Sequence, residues 1–195
     1  MKKILFICLV GFLQFGCSKN EDALIPTNQN VSVNLLKIKN VSEMKEQETK
    51  KVAYLLLNDE EKFIFWSDHL SEASNDEELS DGQQHLFSVL IKNLKTEVFS
   101  EQDNDYKSYF KDIFVKNYLV ELQKKFTRSE IEDIFYNAGN LIAPRNNCNC
   151  NRGSMFGCGT SGNCYGACNT NTITNSGCGF LWAWECNAKC KLFEI

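Results

Sequence analysis

The sequence CNCNRGSMFGCGTSGNCYGACNTNTITNSGCGFLWAWECNAKC, residues 148–190, decides how the end of this chain folds. It holds eight cysteines and seven glycines, and no helical or strand period runs through it. A segment this short cannot bury enough apolar surface to be stable by hydrophobic packing alone. Cross-links between its cysteines are therefore expected to stabilise it.

The cysteine spacing favours disulfides over a metal site. Structural zinc sites usually carry paired Cys-x-x-Cys turns or histidines at fixed offsets, and this segment has neither. A redox motif is missing for the same reason. Eight cysteines allow 105 complete pairings, so the connectivity stays open. The predicted disulfide cysteines are Cys148, Cys150, Cys158, Cys164, Cys168, Cys178, Cys186 and Cys190.

The amino-terminal sequence indicates export and a lipid anchor. Lys2 and Lys3 precede an apolar run that ends at Gly16-Cys17, and this run is shorter than the roughly 20 residues that span a bilayer. Gly16-Cys17 resembles a lipobox, although Gln14 stands where Leu is preferred. We expect lipidation at Cys17, with simple signal cleavage as the alternative, and attachment to the outer membrane, on the cell surface.

Removal of Cys8 with the signal and acylation of Cys17 leave an even number of cysteines, all after residue 147. Disulfides persist in the oxidising compartments that export reaches. The even count therefore agrees with four bridges.

Charge and cysteine content divide the chain into regions. The residues 18–143 carry 15 basic and 23 acidic side chains, a net charge of −8, and residues 144–195 have a net charge of +2. We predict two domains behind a signal and a tether. The predicted boundaries are 1–17 for the lipoprotein signal peptide, 18–41 for the tether, 42–143 for a helical domain and 144–195 for the cystine module.

Hydrophobic periodicity predicts helices in the region before the cystine module. Ser80 to Gln83 and Thr127 to Glu130 have the spacing of capping boxes, and a further helix start is predicted at Asn58 to Glu61. Two apolar stripes have the three-and-four spacing of one helix face. The stripes are Leu86, Phe87, Leu90, Leu94 and Val98, then Tyr106, Phe110, Ile113, Phe114, Tyr118, Leu122 and Phe126.

The predicted fold class is mainly α: a small helical bundle followed by a small disulfide-rich irregular module. Pro144 and the asparagines after it mark the junction between the two regions. Exposed junctions of this kind are the preferred sites of proteolysis, which makes Arg145-Asn146 a candidate cleavage point.

No residue pattern argues for an enzyme or a cofactor. His69 and His85 are the histidines of the chain, and His69 shares a helix side with Phe63, Trp66 and Leu70, which indicates a core position. Ser67-Asp68-His69 has the letters of a catalytic triad, but neighbouring residues on a helix point in different directions. No metal site is predicted, and the acidic helical region argues against nucleic-acid binding.

The aromatic run near the chain end has two interpretations. Three aromatic residues, Phe180, Trp182 and Trp184, lie between Cys178 and Cys186, and Lys189 follows them. They either form a miniature core of the module or stay partly exposed, where such residues bind membrane interfaces and partner surfaces. The second interpretation makes them candidates for contact with a bacterial envelope.

The cystine module resembles the fulvocin C-related bacteriocin family. The resemblance rests on the Asn147-Cys-Asn-Cys150 opening, the Gly177-Cys-Gly179 turn with Trp182 after it, and the order of all eight cysteines. The loop from Cys164 to Cys168 is shorter than in fulvocin C. The resemblance covers about a quarter of the chain.

The resemblance implies a lipoprotein precursor, or carrier, of an antibacterial cystine-rich peptide directed at the envelope of target bacteria. In that interpretation the helical domain anchors, helps to fold or masks the tail. The alternative is a surface-anchored lipoprotein that keeps its tail and uses it for adhesion or partner binding.

Overall fold

The computed structural model describes residues 32–138, 148–154, 156, 162–167 and 177–192. Helices make up most of this part of the chain, and the strands lie after residue 147, which confirms the predicted mainly α class. The α-helices are α1 (Leu35–Glu43), α2 (Gln47–Leu55), α3 (Asp59–Ser74), α4 (Asp81–Asn93), α5 (Asp105–Tyr109), α6 (Val115–Leu122) and α7 (Arg128–Phe135).

Capping boxes begin three of these helices. Asn58 and Glu61 satisfy each other's free backbone groups at the start of α3, and Ser80 with Gln83 and Thr127 with Glu130 do the same for α4 and α7. The Asn58 Oδ1 atom accepts from the Glu61 amide at 2.9 Å. All three predicted helix starts are therefore confirmed.

A π turn, Phe110–Phe114, joins α5 to α6 and changes which residues face inward. Ile113, predicted to share the apolar stripe, is 54% exposed, whereas Phe110 is fully buried. A π turn adds a residue to the helical repeat and rotates the stripe, so the prediction for Ile113 is wrong. The first stripe is buried as predicted, over α4 and the 3-10 turn Thr96–Phe99.

Helix α1 begins inside the segment predicted as a tether. The prediction assigned residues 18–41 to a tether, but Asn34 caps a helix that starts at Leu35. The Glu61 carboxylate explains this order, because its Oε1 accepts from the Asn34 amide at 3.1 Å and its Oε2 from Lys37 Nζ at 2.9 Å. These long-range bonds fix α1 against α3.

The cystine module also contains a small sheet that the sequence did not indicate. Its strands are β1 (Cys148–Cys150), β2 (Gly162–Tyr165) and β3 (Ala188–Leu192), in the order β1-β3-β2 with both pairings antiparallel. Cys164 lies opposite Cys190 in the β2–β3 register. Short strands without alternating hydrophobicity give little sequence signal, which is why the sequence did not predict this sheet.

The helices and the end of the cystine module share one hydrophobic core. Contacts place Val33–Ile195 in one compact unit, and one buried cluster contains residues of every α-helix except α5 together with Phe180, Leu181 and Trp182. The junction predicted at 144 lies outside the described residues. The sheet has a separate, much smaller cluster formed by Cys150, Ala188 and Cys164.

Candidate functional site

A disulfide-closed loop, Cys178–Cys186, reaches from the cystine module into the helices; we name it the cystine loop. A disulfide joins its two ends, and Cys178 also pairs with Trp184 by two backbone bonds of 3.0 and 2.9 Å. The Gly177 amide donates to the Trp182 carbonyl at 2.8 Å. The segment between these fixed points, Phe180–Trp182, forms one 3-10 turn at the tip.

The tip of the cystine loop adopts a conformation that side chains disfavour. Leu181 and Trp182 have positive φ values of 53° and 49°, which are costly for bulky residues, roughly 1–3 kcal/mol each. Gly177 and Gly179 also have positive φ, and a Cβ atom on Gly179 would lie 3.1 Å from the Trp184 ring. Such strain persists only where the surrounding packing compensates for it.

The packing around Trp182 provides that compensation. Its side chain is fully buried and packs against three aromatic rings of the helices: Tyr54 at 5.1 Å edge-on, Trp66 at 5.4 Å edge-on and Phe65 at 6.0 Å stacked, between centroids. The indole Nε1–H donates to the Tyr136 carbonyl. We name Tyr54, Phe65, Trp66 and the Tyr136 carbonyl the Trp182 socket. The socket buries the apolar surface of the indole and accepts the hydrogen bond from its Nε1–H.

Phe180 fills a second site beside the socket. It is 1% exposed, stacks on Phe135 at 5.5 Å and meets Tyr118 edge-on at 6.0 Å. Leu181 between the two aromatic residues is also fully buried. The cystine loop therefore inserts its whole tip among α2, α3, α6 and α7.

The interpretation in which Phe180, Trp182 and Trp184 stay partly exposed for envelope contact does not fit their burial, since the three are at most 7% exposed. They do not form a core of the cystine module alone either, because Phe180 and Trp182 pack against rings of the helical region. Lys189 of β3 is half-buried. The sequence shows which residues of the module are aromatic, but no pattern in it indicates that rings of the helices pack against them.

A lysine also lies at this interface. Lys51 Nζ is 5.3 Å from the centroid of the Trp182 ring, in cation–π geometry. Burial lowers the pKa of Lys51 to about 8. The attraction of the cation for the ring face is therefore strongest below this pH.

Two of the predicted disulfides are described, Cys150–Cys164 and Cys178–Cys186. The first links β1 to β2 across β3, and the second closes the cystine loop. If all eight cysteines pair, these two bridges reduce the possible connectivities from 105 to three. The side chains of Cys148 and Cys190 are not described, only their backbone. The predicted site residues that lie outside the described residues are Cys17, Arg145, Asn146, Cys158 and Cys168.

His69 is a core histidine, as its sequence position predicted. Its Nε2 lies 2.9 Å from the Ile134 carbonyl, so this nitrogen carries the proton and donates. Burial lowers the pKa of His69 most strongly, against the effect of that hydrogen bond. Among the described residues, no group of three His, Cys, Asp or Glu side chains could hold a metal ion.

Sequence reasoning missed a cavity of about 730 Å³ between α1, α2, α3 and α7. Its deeper wall includes Ile38, Phe65 and His69, and Lys50 contributes an amine from α2. Lys50 is 4% exposed, and burial lowers its pKa. No motif marks this site, because its residues come from four helices and meet only in the folded chain.

Comparison of the chain with protein-family models, curated proteins and solved structures finds no match. The described helices include none that is long and apolar enough to cross a bilayer.

Proposed function

We propose that this protein is an envelope lipoprotein that keeps its cystine module and displays it as part of one folded binding domain. The observation that carries the proposal is the burial of Trp182 in a socket built by the helices. In this function the tail is neither a free peptide nor a mobile appendage. Acylation at Cys17 provides the membrane attachment.

The energetic cost of removing the tail supports retention. Fully burying one large apolar side chain contributes about 1.5–3 kcal/mol, and the tip buries Phe180, Leu181 and Trp182 together. Extraction would expose these side chains and leave the socket rings without partners. A release mechanism by proteolysis at Arg145-Asn146 would have to overcome this cost after the chain is cut.

The exposed part of the module supports a binding role. Tyr165 on β2 is 46% exposed, and β1 and β2 are the edge strands of the sheet. Sheet edges offer unpaired backbone groups to a partner strand, and exposed tyrosine is common in recognition surfaces. The Cys150–Cys164 disulfide cross-links these two edge strands.

Mass spectrometry of separated culture fractions tests the proposal. The expected result is a single species, acylated at Cys17 and carrying its carboxy-terminal residues, in the membrane fraction. A disulfide-bonded peptide of about 50 residues in the supernatant, with the helical part left in the membrane, would overturn retention and support the bacteriocin precursor.

A Trp182→Ala variant in the same strain sharpens the test. If the socket retains the tail, this substitution makes the module sensitive to proteolysis, and tail fragments appear in the supernatant. Tyr165→Ala, which removes an exposed aromatic residue of the same module, is the matched control and leaves the pattern unchanged.

A further inference from the structure

The cavity beside His69 is lined by one buried lysine, Lys50. Lys50 is 4% exposed, and within the described part of the chain its amine has no ion-pair or hydrogen-bond partner. Lys50 lines the cavity and its amine is not among the fully buried atoms that lack a partner, so an anion entering the cavity can reach it. Two nearby lysines have other environments: Lys51, next in the sequence, faces Trp182, and Lys45, five residues earlier, is exposed.

The walls around this amine are mainly apolar. Leu35 and Ile38 come from α1, Phe65 and Ala73 from α3, and Ile134 from α7. A volume of about 730 Å³ lies in the range of small-molecule sites, which combine apolar walls with a few polar groups. The cavity therefore suits an apolar body with one anionic group.

The acidic residues that line the cavity form no described ion pair with the Lys50 amine. Asp68 and Glu72 are exposed side chains at the cavity mouth. Asp133 lies on α7 with a buried Oδ1 atom that has no hydrogen-bond partner, and burial raises the pKa of its carboxyl. None of the three forms an ion pair with Lys50 in the described structure.

His69 fixes the second polar position of the cavity. Its Nε2 is committed to the Ile134 carbonyl, and its ring meets Trp66 edge-on at 5.4 Å. The remaining nitrogen, Nδ1, is an acceptor while the ring is neutral and a donor once it is protonated. A carboxylate held by Lys50 near this ring accepts a hydrogen bond from Nδ1 only when the ring is protonated.

We propose that this cavity binds a small carboxylic acid with an apolar body, its carboxylate accepting hydrogen bonds from Lys50 Nζ. The apolar walls bury the body of the ligand, and the amine selects the anionic head group. This site uses no residue of the cystine module, although Phe65 lines both this cavity and the Trp182 socket.

Calorimetric titration of the oxidised full chain carrying Cys17→Ala, which removes the acylation site, tests the proposal. Octanoate is the probe, and octylamine and octanol have the same chain with other head groups. We expect saturable binding of octanoate that is at least tenfold tighter than binding of the other two. Equal or tighter binding of octylamine, or no saturable octanoate binding, would overturn the proposal.

Lys50→Met keeps the length and apolar stem of the side chain and removes its charge. The expected result is a ten- to hundredfold loss of octanoate affinity, the usual range for a hydrogen bond to a charged group, with a thermal midpoint equal to or above that of the parent. Lys45→Met is the matched control and binds octanoate like the parent. Unchanged binding by folded Lys50→Met would overturn the role of the amine.

NMR of the imidazole proton between the ring nitrogens of His69 locates the ligand without a variant. Octanoate bound in this cavity shifts that resonance and leaves the resonance of exposed His85 in place. Saturable binding with no shift at His69 would place the ligand elsewhere and contradict the proposal.

Discussion

The cystine loop and the three-stranded sheet belong to the same module but are stabilised in different ways. The loop buries Phe180, Leu181 and Trp182 in the helical core, and its disulfide closes the base. Among the side chains that the structure describes, the core cluster of the sheet consists of Cys150, Ala188 and Cys164, so its bridge and backbone bonds stabilise it. A cysteine-rich sequence therefore does not by itself indicate which part of a module depends on its cross-links.

The largest effect is expected from Trp182→Ala. Removing the indole leaves a cavity among Tyr54, Phe65 and Trp66 and an unsatisfied carbonyl at Tyr136, so the free energy of unfolding should fall by about 3–5 kcal/mol. Urea unfolding followed by far-ultraviolet circular dichroism measures the loss in the helices. Tyr165→Ala, in the sheet, should change the free energy of unfolding by less than about 0.5 kcal/mol. Equal effects would contradict the contrast between the two regions.

The two disulfides give the next contrast. Replacing both Cys178 and Cys186 by Ser opens a loop with a sequence separation of 8 and should lower the stability of the whole unit by about 2–3 kcal/mol. The loop tip is part of the common core, so helices and tail should unfold together, as hydrogen exchange reports.

Replacing Cys150 and Cys164 by Ser should instead weaken the sheet locally. Amides of β2 and β3 should lose protection from hydrogen exchange, while the amides of α3 and α7 keep theirs. Loss of helix protection in this variant would show that the sheet, too, supports the helical core.

A smaller effect is expected at low pH from Glu61. Burial raises the pKa of this carboxyl, but the hydrogen bonds from Lys37, Asn58 and Asn34 outweigh it, so the folded pKa lies below its usual value. Its contribution to stability is complete above the unfolded pKa of about 4.3 and is lost as the pH falls through the folded value.

Glu61→Gln should cost about 1–3 kcal/mol at neutral pH and less in acid, because protonation has already weakened these bonds there. Unfolding at pH 7 and pH 3, compared with Glu60→Gln on the same helix turn, measures the difference. A cost that does not depend on pH would contradict the role of the Glu61 charge.

The helical part was predictable because its signals are local. The Ser80 and Thr127 boxes, the Asn58 start and the stripe from Leu86 to Val98 depend on residues within a turn or two of one another. The π turn at Phe110–Phe114 and the helix at Leu35 were not predictable, since the first changes the period and the second depends on Glu61, far along the chain.

The site was less predictable because its contacts join distant segments. The sequence shows that Trp182 is aromatic and lies between cysteines, but it does not show that Tyr54 and Trp66 surround it. The cavity at Lys50 likewise depends on four helices, and lysine in a helix is usually solvated.

Cutting the chain between the helices and the cystine module tests most directly whether the module is an integral part of the fold. A recognition site for a specific protease is inserted between Arg145 and Asn146, and the oxidised protein is cut and passed through a size-exclusion column without denaturant. The expected result is that both pieces elute together at the position of the uncut protein, and that Trp182→Ala separates them. Separation of the parent pieces, with the helical piece still unfolding at its original midpoint, would contradict the shared core.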